Sequence, residues 1–183
     1  ARLENLYGPT EAAVDITRSA LGARWAGEQV TIGRPVPNCG VDVVDAEGQP
    51  CAVGSPGELL LKGIQVGRGY VGRLDLTAER FIPAHVGQRS YRTGDLVRRT
   101  AAGELDYLGR IDHQVKLRGQ RIELEEIESA LRALGVAAPA AAVHATGAGS
   151  ETLVGYLVGS KRSPEELEIA LAIAAKPRVL LLD

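Results

Sequence analysis

Gly109-Arg110-Ile111-Asp112-His113-Gln114-Val115-Lys116-Leu117-Arg118-Gly119-Gln120-Arg121-Ile122-Glu123 is the stretch on which the fold turns, because side-chain periodicity changes at its end. Over residues 113–118 the pattern alternates, with Val115 and Leu117 on one face and Gln114, Lys116 and Arg118 on the other. That period predicts a strand, and Gly119 permits a tight turn after it, giving an edge hairpin with a basic face. From Leu124 the apolar residues Leu124, Ile127, Leu131 and Leu134 recur at three- and four-residue steps. Glu123, Glu125, Glu126 and Glu128 load the first turns, where a helix dipole favours anions, so an amphipathic helix is predicted.

Outward from this switch, the N-terminal side reads as antiparallel β structure. Residues 41–45 (VDVVD), 57–62 (GELLLK) and 104–108 (ELDYL) are short β-type runs separated by Gly, Pro, Asn and Asp turn formers. On the C-terminal side, Gly135 to Gly149 is an alanine- and glycine-rich stretch broken by Pro139, to which no element is assigned. Leu153–Val158 reads as a short buried strand. Ser163-Pro164-Glu165-Glu166 is a capping box with proline at the first helical position, and Leu167, Ala170, Leu171 and Ala174 continue a second helix. The apolar run Val179–Leu182 follows.

The 183 residues are 45% hydrophobic, 24% charged and 4% aromatic, which suffices for a packed core and excludes a disordered chain. Glycine (22) and proline (9) lack the three-residue period of collagen. No apolar run is long enough to span a bilayer, and residues 1–30 do not read as a signal peptide, so no membrane partner is expected. The net charge of −2, with no block of like charge and few aromatics, argues against nucleic acid. Cys39 and Cys51 are too few for a disulfide scaffold and read as buried thiols in a reducing, cytoplasmic setting. The chain is inside a dense motif within a few residues of Ala1, so we expect it to be part of a longer protein.

Three constellations carry chemistry. In Asn5-Leu6-Tyr7-Gly8-Pro9-Thr10-Glu11 a turn joins an aromatic ring, a hydroxyl and a carboxylate beside a glycine. Thr10 and Glu11 suit a phosphate and a hard cation, although the same residues make an ordinary turn. In Tyr91-Arg92-Thr93-Gly94-Asp95 the aspartate follows a glycine turn and can accept hydrogen bonds from vicinal hydroxyls such as those of a ribose, or from its own backbone. The run from Gly109 to Glu123 gathers cations that suit phosphates, a negatively charged partner, or a solvated edge strand. His85, His113 and His144 have no metal-ligand spacing, and no G-x-S-x-G is present.

In this order the three motifs resemble the adenylate-forming enzymes, and specifically the adenylation domains of nonribosomal peptide synthetases, over about residues 3–160. Ile32-Gly33-Arg34-Pro35-Val36, Gly57-Glu58-Leu59 and Leu76-Thr77-Ala78-Glu79-Arg80-Phe81 look like the same family. The resemblance implies an α/β fold. Residues 1–111 would end the large lobe with a β-barrel-like subdomain, and 112–183 would form a small mobile α/β lobe, atypical after about 160. It also implies the reaction: an amino acid carboxylate joins the α-phosphate of ATP with release of pyrophosphate, and the acyl group passes to a phosphopantetheine thiol.

Carried over by motif position, the resemblance places Tyr7 along the adenine beside Gly8, Thr10 on the α-phosphate and Glu11 on Mg²⁺. Asp95 would bind the ribose hydroxyls with Arg110 beside it. Asp112 would be the hinge between the two half-reactions. Gly119 and Arg121 would line the pantetheine channel. Leu6, Val14 and a partly buried Asp15 would line the amino-acid pocket in a pattern resembling serine activation, unless Asp15 only caps a turn through Thr17. Expected partners are a peptidyl carrier protein, a condensation domain and an MbtH-like protein.

Several features depart from the family. Its glycine-rich phosphate loop precedes the Tyr-Gly-Pro-Thr-Glu motif and its catalytic lysine sits in an N-G-K context; neither occurs in this sequence. The tail ALAIAAKPRVLLLD (residues 170–183) resembles the Walker B stretch of ABC-transporter ATPases, but no G-x-x-x-x-G-K-[ST] accompanies it. Gly67-Arg68-Gly69-Tyr70-Val71-Gly72 fits G-x-G-x-x-G without a surrounding βαβ unit, so no dinucleotide site is expected. Two other readings are an acyl- or aryl-CoA ligase of the same superfamily and a non-catalytic docking fragment. The run QVKLRGQRIE (residues 114–123) favours the peptide-synthetase version.

Overall fold

Glu58-Leu59-Leu60-Leu61 is buried at every position, which a strand achieves only when it lies inside a sheet covered on both faces. The computed structural model places it so. It describes residues 3–21, 30–84, 88–112, 114–117, 120–145, 151–158 and 181–182. The chain divides into two compact units, Ala1–Asp112 with Val179–Asp183, and His113–Arg178.

In the first unit the elements are β1 (Leu3–Tyr7), β2 (Thr17–Leu21), β3 (Arg34–Pro35), β4 (Cys39–Val44), β5 (Pro56–Gly63), β6 (Gly69–Tyr70), α1 (Leu74–Arg80), β7 (Phe81–Pro83), β8 (Arg89–Arg99) and β9 (Leu105–Arg110). Strands β1, β2 and β3 form one antiparallel sheet, and β4-β5-β8-β7, with β9 on β8, forms another. The runs expected over 41–45, 57–62 and 104–108 correspond to β4, β5 and β9. The register of β5 on β8 shifts between Glu58 and Leu60, and that of β8 on β9 shifts between Leu96 and Val97. The first of these irregularities contains Gly94, which lies between Arg92 and Leu96 on β8 and whose φ of 71° suits glycine. Leu59, Leu61, Tyr91, Val97 and Leu105 are fully buried and centre the core.

In the second unit β10 (Gln114–Leu117) and β11 (Gln120–Glu123) form the antiparallel hairpin, and α2 (Leu124–Ala133) follows at once. Ile127 and Leu131 of α2 are fully buried, against Val115, Leu117, Leu153 and Leu157. Leu134 is the C-cap, and Gly135 at φ 88° ends the helix. Two details correct the sequence reading. Gln114, assigned to the solvent face, is 7% exposed, because the hairpin is covered at that end rather than open on one side. The alanine-rich stretch is strand β12 (Ala138–Ala145), paired antiparallel with β13 (Glu151–Val158). Alanine has little β propensity of its own; here the paired strand and α2 supply the context, and the Ala141 amide donates to Glu128 Oε1 of α2 at 3.1 Å.

Strand β14 (Leu181–Leu182) pairs with Tyr70 and Gly69 of β6. The second expected helix, from Ser163, lies outside the described residues, as do His85, His113 and Gly119. Cys39 and Cys51 are free and half-buried rather than fully enclosed, since each packs only against the margin of the core.

Candidate functional site

Between β1 and β2 the backbone folds back tightly on itself. A 3-10 turn spans Thr10–Ala12, and Ala13 and Val14 both carry left-handed φ values, 53° and 75°. Two successive non-glycine residues in that region are strained. Hydrogen bonds hold them: Val14 N–H donates to the Pro9 carbonyl at 3.1 Å and Ile16 N–H to that of Tyr7 at 2.9 Å. Gly8 is required because a Cβ there would stand 2.4 Å from the Val14 carbonyl oxygen. The turn exposes Thr10 and buries Glu11 to 5% exposure. A buried carboxylate needs donors. Tyr70 supplies one, donating its hydroxyl to Glu11 Oε1 at 2.7 Å.

Leu6, Val14 and Asp15 all lie exposed on the same segment. The sequence reading had Asp15 partly buried; the left-handed pair before it swings the chain outward instead. Thr17 does not take part in a cap with Asp15, because its hydroxyl donates to the Ile32 carbonyl at 2.5 Å.

The second polar cluster forms where β8 and β9 pair, with Asp95 opposite Arg110. Asp95 is 6% exposed and accepts from Arg110 Nη1 at 2.7 Å and from the Tyr7 hydroxyl. Its own amide donates to Thr93 Oγ1 at 2.9 Å, and Thr93 donates on to the Leu59 carbonyl at 2.8 Å. Arg110 also forks onto Asp112, donating from Nε to Oδ1 at 2.6 Å and from Nη2 to Oδ2 at 2.7 Å. Arg80 of α1 approaches the same aspartate, Nη1 to Oδ2 at 3.7 Å. A Cβ on Gly94 would stand 2.5 Å from Asp112 Oδ2 and 2.8 Å from Arg110 Nη2, so glycine is what lets the fork close. Burial, then the Asp95 charge, push the Tyr7 phenol well above its ordinary range, which keeps it a donor.

Thus the structure brings Tyr7, Asp95, Arg110 and Asp112 into one hydrogen-bonded set. Glu11 belongs to a different one, with Tyr70 and, through the Tyr70 hydroxyl at 3.4 Å, Tyr91. Arg121 sits in β11 opposite Lys116. Sequence reasoning passed over Tyr70, Thr93 and Tyr107. Thr93 stood inside a quoted motif, Tyr70 inside the G-x-G-x-x-G match, and Tyr107 inside the ELDYL strand. The Tyr107 ring lies 6.4 Å from that of Tyr7, at 42°. Among the described residues no three His, Cys, Asp or Glu side chains cluster as metal ligands, and no helix is long and apolar enough to cross a membrane.

The family model described as AMP-binding enzyme matches residues 1–71, and the chain is similar in sequence and fold to part of nonribosomal peptide synthetase adenylation domains. Enterobactin synthase component F of Shigella flexneri is 48% identical over 177 residues, covering 90% of this chain and 14% of that protein. The solved Vibrio cholerae adenylation domain AlmE in complex with glycyl-adenosine-5'-phosphate is similar with a TM-score of 0.79 and 31% identity, over 97% of this chain and 35% of that one. PA1221, an NRPS protein containing adenylation and PCP domains, is similar with a TM-score of 0.77 and 29% identity, over 93% of this chain and 35% of its own. The chain therefore spans only a small part of the curated relatives it matches.

Proposed function

We propose that this chain supplies the ribose-binding and metal-binding parts of an ATP-dependent, amino-acid-activating enzyme. That enzyme forms an aminoacyl adenylate and passes the acyl group to the phosphopantetheine thiol of a peptidyl carrier protein. The observation that carries the reading is the Asp95 carboxylate, fixed by Arg110 and Tyr7 and buried within β8 where the last residue of β9 pairs with it. A carboxylate so oriented accepts hydrogen bonds from vicinal ribose hydroxyls, while Tyr7 and Tyr107 offer rings to a base. The likeness to a domain solved with glycyl-adenosine-5'-phosphate supports the same ligand class.

Thr10 would donate to the α-phosphate. Glu11, a hard oxygen donor, fits Mg²⁺, which takes one or two carboxylates and completes its shell with phosphates and water. When bound, that ion neutralises phosphate charge. Residues 1–111 and 112–183 would act as two lobes, with Asp112 the hinge and Gly119 and Arg121 beside the pantetheine arm. Leu6, Val14 and Asp15 would meet the amino acid, serine first among small polar ones, because Asp15 can accept from a hydroxyl. The carrier protein, a condensation domain and an MbtH-like protein would be its partners, in the cytoplasm.

ATP–pyrophosphate exchange by the full-length protein tests this reading. Serine should support exchange, with alanine about tenfold or more below it, the worth of one hydrogen bond to a charged acceptor. Exchange driven by fatty or aryl acids instead would replace the reading with a CoA ligase. No exchange with any acid would leave a docking role.

A further inference from the structure

The segment that matches G-x-G-x-x-G clamps Glu11 at two points. Gly67 N–H donates to the Glu11 carbonyl at 2.9 Å, and the Tyr70 hydroxyl donates to its side-chain Oε1 at 2.7 Å. The clamp is itself anchored on α1. Tyr70 N–H donates to Thr77 Oγ1 at 2.9 Å, and the Thr77 hydroxyl donates to the Arg73 carbonyl at 2.8 Å. Gly69, at φ 144°, makes this approach possible, since a Cβ there would stand 2.4 Å from Thr77 Cγ2. Phe81 packs edge-on against the Tyr70 ring, centroids 5.3 Å apart at 77°. The phenol therefore has little freedom, and it grips one oxygen of a planar group, which sets the direction of the other.

We propose that Tyr70 is a positioning residue: it orients the Glu11 carboxylate for a divalent cation accompanying a nucleotide. The proposal rests on the reading of Glu11 as a metal ligand given above. Groups that hydrogen-bond a metal-ligating carboxylate are typically worth 10–100-fold in metal affinity. Loss of the hydroxyl should therefore weaken binding of the metal complex and leave binding of the bare nucleotide alone.

The test uses the full-length protein as wild type, Tyr70→Phe and Thr77→Val, with Mn²⁺ as the probe. Water-proton relaxation gives the Kd of Mn²⁺·ATP, and equilibrium dialysis in EDTA gives that of metal-free ATP. Tyr70→Phe should raise the first about tenfold with the second unchanged. Thr77→Val, which keeps the phenol and loosens its backbone, should move the first in the same direction by less. It carries the test if Tyr70→Phe does not fold. An unchanged Mn²⁺·ATP affinity, or equal weakening with and without metal, would overturn the proposal and leave Tyr70 as a core hydrogen bond. A wild type that binds neither Mn²⁺·ATP nor ATP would instead overturn the proposed function, and this inference with it.

Discussion

Glu11 and Asp95 lie in one unit of the chain at 5% and 6% exposure, and each receives a neutral phenol, Tyr70 and Tyr7 respectively, yet Asp95 also receives the Arg110 guanidinium. A phenol orients a carboxylate without adding positive charge; a guanidinium orients it and neutralises it at once. Local chain geometry underlies the difference. Glu11 sits in a strained turn clamped by segments far along the sequence, whereas Asp95 faces Arg110 directly across two paired strands. Under the proposed function the two carboxylates divide the work, Glu11 meeting a cation and Asp95 the ribose hydroxyls.

The most severe test of this contrast is Arg110→Ala. It strands Asp95 and Asp112 together without their shared cation, and breaking such a partly buried pair costs about 3–5 kcal/mol. Urea unfolding of the chain measures it. A loss no larger than that of Tyr70→Phe would erase the distinction between the two carboxylates.

Gly94→Ala comes next. The left-handed φ and the clash with Asp112 and Arg110 together should remove about 2–3 kcal/mol, read as a lower Tm. A neutral outcome would mean that the fork can re-form without the glycine, and so that Arg110 holds Asp95 less rigidly than the geometry implies.

Tyr7→Phe sharpens the comparison from the Asp95 side, with a loss of about 2 kcal/mol for a hydrogen bond to a charged acceptor. It also has a pH signature. Burial, then Asp95, raise the folded-state Tyr7 pKa above its ordinary 10.0. The folded chain keeps a proton that the unfolded chain releases, so this contribution is complete below about pH 10 and is lost as pH rises beyond it. Stability curves of wild type and Tyr7→Phe should therefore converge in alkali. Curves that stay parallel there would place the phenol in an unperturbed setting.

The smallest effect is expected from Tyr70→Phe, about 1.5 kcal/mol, since the ring and its packing on Phe81 remain. The same denaturant series used for Arg110→Ala supplies the value. A loss exceeding that of Arg110→Ala would reverse the order of the two sites.

Much of this was legible beforehand where physics is local. The alternation at Val115 and Leu117 and the three-to-four period of Leu124, Ile127 and Leu131 are properties of neighbouring residues, and β10 and α2 follow from them. Asp95 and Arg110 were named as a pair, but not the fork from Arg110 to Asp112, which Gly94 makes room for. The exposure of Asp15 was misjudged because left-handed backbone at Ala13 and Val14, held by bonds to Pro9 and Tyr7, has no signature in residues that are neither glycine nor asparagine. Strand β12 was missed because alanine states no preference until a partner strand supplies one.

The sequence by itself determined β4, β5 and β9 of the core sheet, the amphipathic helix and the chemical inventory of the motifs, because periodicity and side-chain type act over a few residues. It did not show β8 (Arg89–Arg99), whose Gly94 read as a turn but lies inside the strand. Only the tertiary structure decided which of those motifs share a site. Glu11 meets Tyr70 and Tyr7 meets Asp95 through contacts between residues distant in the chain. Such contacts are fixed by which strands pair and which glycines let backbones approach. A buried carboxylate must find its donor wherever the fold delivers one, and a linear pattern does not record that address.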